Sequence, residues 1–304
     1  PKCQNVSGLR PWKTCVRHRL WHWRRGLEPQ RPSSYHADRA VASGERLQKG
    51  RLVIPRRWLT IARELLCLPT SPLCEHAVAD WLGRFAAERS LALRSDVHGN
   101  LTLRYRRGAS CGRPWTFCAH MDHPGFMAER MLRSGVLLAA WRGGVPPELF
   151  AGARVRFFSE GRWVRGRVLC AGRRHATGKP RTARIQVQRP VTPGSVGMWD
   201  FPDPHVRGKL LFARGHDDVA SVAAIACVLD EVCRTGRNAH FHAFFTRAEE
   251  SGFLGAIGAC KTGSLPKRCR VLALETSRAL ANARLGDGVV IRVGDKTSIF
   301  DPGV

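Results

Sequence analysis

Two adjacent carboxylates, Glu249 and Glu250, follow the apolar run from His240 to Phe245 in the stretch FFTRAEESGFLGA. Like charges at the end of a buried strand repel each other and resist desolvation, so something must offset them. Either they sit in water at the start of the next helix, where the helix dipole favours negative charge, or a cation lies between them. Three further positions carry potential metal ligands: His120 after WTFCA, Asp217 after LLFARGH, and Glu275 after RVLAL. Taken singly, these are a hydrogen-bonded core histidine, a helix N-cap and a solvated loop residue. All four places fall at or just beyond the C-terminal end of an expected strand, the edge where open α/β sheets bind ligands. Their alignment favours a metal centre.

One histidine among several carboxylates suits Zn²⁺, and also Co²⁺ or Mn²⁺, which accept imidazole nitrogen and carboxylate oxygen together. A carboxylate bridging two ions about 3.5–4 Å apart would make a two-metal hydrolytic site. One glutamate of the pair can then ligate while its neighbour takes a proton from an activated water and passes it to a leaving amine. Asp122, two residues beyond His120, fits a carboxylate that holds the imidazole in its ligating tautomer.

These side chains need a scaffold that presents strand ends together. WLTIARELLCLPTSP and CEHAVADWLGRFAAERSLAL carry apolar residues at spacings of three and four and read as two helices. The turn at His98-Gly99-Asn100 leads into an alternating strand from Leu101 to Tyr105, and WTFCA (115–119) reads as a buried strand. After LLFAR come the helix VASVAAIACVLDEVCR, the strand HFHAFF, a helix beginning near Gly252 and the strand RVLAL. Alternating β and α elements imply a mostly parallel sheet flanked by helices. Between about 127 and 208 the texture changes to short alternating runs bounded by Gly or Pro, such as ARVRFF, RWVRGRVLC and ARIQVQ. This is a small β-rich module inserted into the α/β domain, which then comprises 51–126 and 209–304. Residues 1–50 have no acidic residue before Glu28. They resemble a transit peptide but lack a Met start and amphipathic periodicity, and read better as a disordered or non-native extension.

A chain of 304 residues that is 43% apolar can bury a full core. No apolar run approaches the roughly 20 residues of a membrane span. Eleven cysteines without a Cys-x-x-Cys pair suggest neither a zinc ribbon nor a disulfide framework, and fit reduced thiols in a cytoplasm. The formal charge of +26 would ordinarily point to nucleic acid or another polyanion. Here only eight of the 50 basic residues are lysine and the arginines are spread along the whole chain, so the charge is not read as a nucleic-acid footprint.

The motifs AHMDHPGF, ARGHDDVASVAAI, FTRAEESGFLGA and LGDGVVIRVGD, in this order, resemble those of the tetrahedral, or glutamyl, aminopeptidases, a family of two-metal zinc exopeptidases. LLCLPTSPLCEHAV and DVHGNL add to the likeness, which runs from about Arg51 to Asp295. The resemblance implies that His120 binds one metal, Asp217 bridges both, Glu250 binds the other beside the catalytic base Glu249, and Glu275 completes the site. It implies an unusual peptide geometry between Asp217 and Asp218, and a β-barrel-like insertion that mediates assembly into dimers and larger closed shells. Two departures stand out. Glu275 occupies a position where many relatives have Asp, and no His follows His242 to serve as the family's second metal-binding histidine. The expectation is a truncated chain or an incomplete two-metal site, with His123 or His216 as possible substitutes. The function expected is hydrolysis of N-terminal residues from peptides by a homo-oligomer. The alternatives are another two-metal amidohydrolase, such as a deacetylase or carboxypeptidase, and a degenerate homologue that binds RNA or another polyanion.

Overall fold

Helices α1 (Arg56–Cys67) and α2 (His76–Glu88) come first and turn one apolar face inward: Ile61, Leu65 and Leu66 from the first, Val78, Trp81, Leu82 and Phe85 from the second. The computed structural model describes residues 54–109, 112–172, 181–208, 210–277, 288–294 and 298–301. The basic extension of residues 1–50 lies outside them, as does part of the LGDGVVIRVGD motif.

Strands β1 (Ala92–Ser95), β2 (Leu101–Arg107) and β3 (Trp115–His120) follow. The chain then leaves the sheet for β4 (Gly125–Arg133), β5 (Val136–Arg142), β6 (Arg154–Ser159), β7 (Arg162–Ala171), β8 (Thr182–Val187) and β9 (Val196–Trp199), which close into a six-stranded barrel. A two-stranded hairpin, β10 (His205–Arg207) with β11 (Leu210–Phe212), leads back to α3 (Ser221–Thr235), β12 (Ala239–Thr246), α4 (Leu254–Thr262) and β13 (Arg270–Ala273).

The main sheet has the order β1-β2-β12-β3-β13. Its pairings are evenly mixed where a mostly parallel sheet was expected: β3 is parallel to β12 and β13, while β2 is antiparallel to β1 and β12. The connections explain this. Asp96 accepts the His98 and Asn100 amides in a tight turn that folds β1 back onto β2. The link from β2 to β3 is also far shorter than the dozen or more residues a parallel crossover needs, so β3 runs opposite to β2.

Alternation along the strands sets up the core. Leu101, Leu103 and Tyr105 stand opposite Phe245, Ala243 and Phe241 of β12, which stand opposite Ala119, Phe117 and Trp115 of β3. This face packs on Val222, Ile225, Ala226 and Leu229 of α3 and on the apolar stripes of α1 and α2. The barrel has its own core, centred on Phe126, Trp141, Phe150 and Phe157. Gly197 is required there, because a β-carbon at that position would fall 2.4 Å from the Phe157 ring. Phe126 pairs directly with Gly197, so the chain enters and leaves the barrel at adjacent points.

Arg214, fully buried, links the end of α1 to the barrel. It donates to Asp203 Oδ1 (2.7 Å) and to the Cys67 carbonyl at the end of α1 (2.9 Å), and its guanidinium lies 5.1 Å from the centre of the Trp163 ring in the barrel. Among the described residues, no helix is long and apolar enough to cross a membrane.

Candidate metal centre

His120 ends β3 and is buried. Its Nε2 lies 3.3 Å from Asp217 Oδ1, 3.6 Å from Glu275 Oε2 and 3.8 Å from Glu249 Oε2, and has no hydrogen-bond partner of its own. Among the described residues, His120, Glu249 and Glu275 form the one group of three whose ligand atoms all lie within 4.8 Å of one another. Glu250 stands outside that triplet.

Each side chain arrives by a different route. Glu249 and Glu250 follow β12 through Ala248, whose φ of +49° turns the chain into a short 3-10 turn before α4. Glu275 follows β13, two strands away in the same sheet. Asp217 does not end a strand of the main sheet, as LLFAR had suggested. That run forms β11 of the separate hairpin, and Asp217 lies in the turn His216–Ala220 that opens α3. The Asp217–Asp218 peptide is cis.

Asp122 has two tasks where the sequence suggested one. Its Oδ1 lies 3.3 Å from His120 Nδ1, and the backbone carbonyl of the same residue is 3.1 Å from that nitrogen. Its two carboxylate oxygens also accept the backbone amides of Glu249 (3.0 Å) and Glu250 (3.1 Å). One fully buried carboxylate thus anchors the imidazole and the turn that carries the glutamate pair. Asp218, also buried, accepts the His120 amide through Oδ2 at 3.2 Å.

Electrostatically the site is oversupplied with negative charge. Burial together with the neighbouring Asp217 and Glu249 pushes Glu250 up to about 8, and burial does the same to Asp218. Glu249 is raised by burial and, against the pull of His120, by Glu275, Asp122 and Asp217. Burial alone would lower His120, but the nearby carboxylates of Asp122, Asp217 and Glu275 outweigh that and raise it strongly. Burial would raise Asp217, but the contacts of its carboxylate with His120, His123 and Glu275 together outweigh that and lower it. Among the described residues, His120 is the sole cationic ion-pair partner of these carboxylates. An imidazole nitrogen without a partner, faced by carboxylate oxygens in surplus, is a donor set that fits a divalent cation.

His123 sets its Nδ1 against the Asp217 carbonyl and not in the ligand triplet. His216 begins the same turn, one residue before Asp217. Three residues that frame the site carry no chemical signature in the sequence. Thr70 Oγ1 donates to the Met121 carbonyl (2.8 Å), between His120 and Asp122. Asn100 accepts the Arg247 amide (3.1 Å) and donates to the Gly255 carbonyl (2.9 Å). Glu75 is buried against Arg247 and Ala248. The stretches LPTSPLCEHAV and DVHGNL contain these residues, but only the fold shows that Asn100 and Glu75 reach the glutamate turn and that Thr70 reaches the chain between His120 and Asp122.

The fold so described is shared with several solved aminopeptidases. The TET1 peptidase of Pyrococcus horikoshii, which can assemble into a tetrahedron or a large octahedral shell, matches 81% of this chain and 78% of its own, with a TM-score of 0.64 at 20% identity. An aminopeptidase from the archaeon Desulfurococcus kamchatkensis matches 77% of this chain and 69% of its own (TM-score 0.61, 20% identity). A TET aminopeptidase from a marine-sediment Thaumarchaeota archaeon matches 74% and 68% (TM-score 0.61, 16% identity). These likenesses establish the fold. In sequence, residues 183–304 match the M42 glutamyl aminopeptidase family, in agreement with the resemblance seen in the motifs. No curated protein gives a sequence match. The family match and the aminopeptidase neighbours together support a peptide-bond hydrolase.

Proposed function

We propose that this chain is a metal-dependent aminopeptidase that removes N-terminal residues from peptides, with Glu249 as its proton shuttle. The observation that carries the reading is the convergence of His120 Nε2 with carboxylate oxygens of Asp217, Glu249 and Glu275 within 3.3–3.8 Å. Two divalent ions, Zn²⁺ foremost, would be held by His120, Asp217 and Glu275 and by Asp217 and Glu250, and when bound would polarise the scissile carbonyl and acidify the attacking water. Asp122 holds the His120 ring and, through the two backbone amides, aims the glutamate pair. Glu249, whose Oε2 lies 3.8 Å from His120 Nε2, is placed to accept a proton from water and deliver it to the leaving amine. The surplus of carboxylates also offers a counter-charge to the ammonium of a free peptide N-terminus.

The barrel, Gly125–Trp199, contributes none of these side chains, and we read it as the module through which copies assemble; the TET1 neighbour can itself assemble into a tetrahedron or a large octahedral shell. On this reading the catalytic domain is made of residues 51–126 and 209–304. A chromogenic aminoacyl amide and its N-acetylated form decide the matter. The free amine should be cleaved, the acetylated form spared, and activity abolished by exhaustive chelation and restored by zinc. Equal cleavage of both substrates, or turnover that survives chelation, refutes the proposal.

A further inference from the structure

The carboxylate of Glu75 is out of place by ordinary rules. It occupies the N-cap position of α2, where an acidic side chain would gain from the helix dipole while remaining in water. It makes no capping bond to that helix, and its side chain is fully buried. Instead Oε1 accepts the Leu73 amide (2.7 Å) and the Ala248 amide (3.0 Å), and Oε2 accepts Arg247 Nε (2.7 Å). Burying a carboxylate is costly unless such bonds compensate it.

Ala248 is the residue that redirects β12 into the Glu249–Glu250 turn. It holds a left-handed φ of +49°, a strained conformation for a non-glycine residue that persists only where the surroundings over-determine it. Glu75 supplies that imposition directly through the Ala248 amide. The same loop reaches the other side of the site, since Thr70 holds the Met121 carbonyl between His120 and Asp122. The barrel touches it as well, where Arg142 donates to the Pro72 carbonyl.

From this geometry we infer that Glu75 is a positioning residue: through the Ala248 amide and the Arg247 side chain it fixes the Glu249–Glu250 turn against His120. The inference rests on the reading of those glutamates as shuttle and ligand. It makes Glu75 a determinant of metal affinity and turnover, beyond its share in stability.

The test uses the full chain and three variants. Glu75→Gln removes the charge facing Arg247. Glu75→Asp keeps that charge but withdraws it from Ala248, and serves where the first variant folds poorly. Asp230→Asn breaks the ion pairs of α3 with Arg57 and Arg89 and acts as a stability control away from the site. Zinc affinity is measured by competition with a chromophoric chelator, and exchange of the Ala248 to Glu250 amides is followed by hydrogen–deuterium exchange mass spectrometry on metal-free protein. Both Glu75 variants should bind zinc roughly 10–100-fold more weakly, the usual effect of losing a partner behind a ligand. They should also exchange faster across the turn, and lose kcat with little change in KM. Asp230→Asn should lower the melting temperature while leaving zinc affinity and exchange at the turn unaltered. Wild-type zinc affinity and exchange in the Glu75 variants would overturn the inference, as would an equal loss of zinc affinity in Asp230→Asn. If the wild type cleaves no peptide, the functional reading fails while the zinc and exchange measurements still decide the role of Glu75.

Discussion

Replacing Asp122 by asparagine exchanges one carboxylate oxygen for an NH2 group and leaves the shape intact. In the native protein both oxygens are committed, Oδ1 to the Glu249 amide and Oδ2 to the Glu250 amide, with His120 Nδ1 3.3 Å from Oδ1. An asparagine can keep one oxygen in place, and its NH2 then meets a backbone N–H, donor against donor. A hydrogen bond to a charged group is worth about 1.5–3 kcal/mol. If that loss falls on the orientation of the glutamate pair in the transition state, kcat drops roughly 10- to 150-fold, since each 1.36 kcal/mol is a factor of ten. The assay is turnover of an aminoacyl chromogenic amide at limiting and at saturating zinc, with circular dichroism as a folding control. A deficit that persists at saturating zinc assigns the loss to the turn. One that zinc repairs assigns it to the His120 side. An Asp122→Asn protein with wild-type turnover at limiting zinc and wild-type zinc affinity would refute the reasoning.

Glu249→Gln should lower kcat at least 100-fold, within the usual general-base range, with zinc content near wild type, whereas Glu250→Gln should release metal; elemental analysis beside the kinetics separates the two. Arg214→Leu should cost about 1–3 kcal/mol, because its partner Asp203 is largely exposed and rehydrates, so the penalty for stranding a buried charge does not apply; a calorimetric melt checks it. Cys118 and Cys227, whose thiols burial pushes up to about 12, should resist iodoacetamide at pH 8 while the exposed Cys170 and Cys260 react, as read by peptide mapping. Replacing the barrel by a short Gly/Ser bridge, which the adjacency of Phe126 and Gly197 permits, should reduce particle size in light scattering; an unchanged oligomer would remove the barrel from assembly.

The sequence by itself determined the kinds of chemistry available and most of the elements that carry it. Period-two alternation marked β2, and unbroken apolar runs marked β3 and β12, because burial of one or both strand faces is written directly into residue type. The order of histidine and carboxylates along the chain was equally visible. What stayed hidden depends on contacts between distant segments. Strand pairing follows from connection lengths and from which neighbour a strand finds, so half of the main sheet came out antiparallel, and LLFAR joined a hairpin outside it. The direction of a side chain in the 3-10 turn after Ala248 follows no repeat, so only the tertiary structure brought Glu249, and not Glu250, into the triplet with His120 and Glu275. Glu75 is the clearest instance. At the start of an amphipathic helix it is indistinguishable from a solvated acid, and it is the fold, by placing Ala248 and Arg247 against it, that turns an ordinary glutamate into a buried anchor of the site.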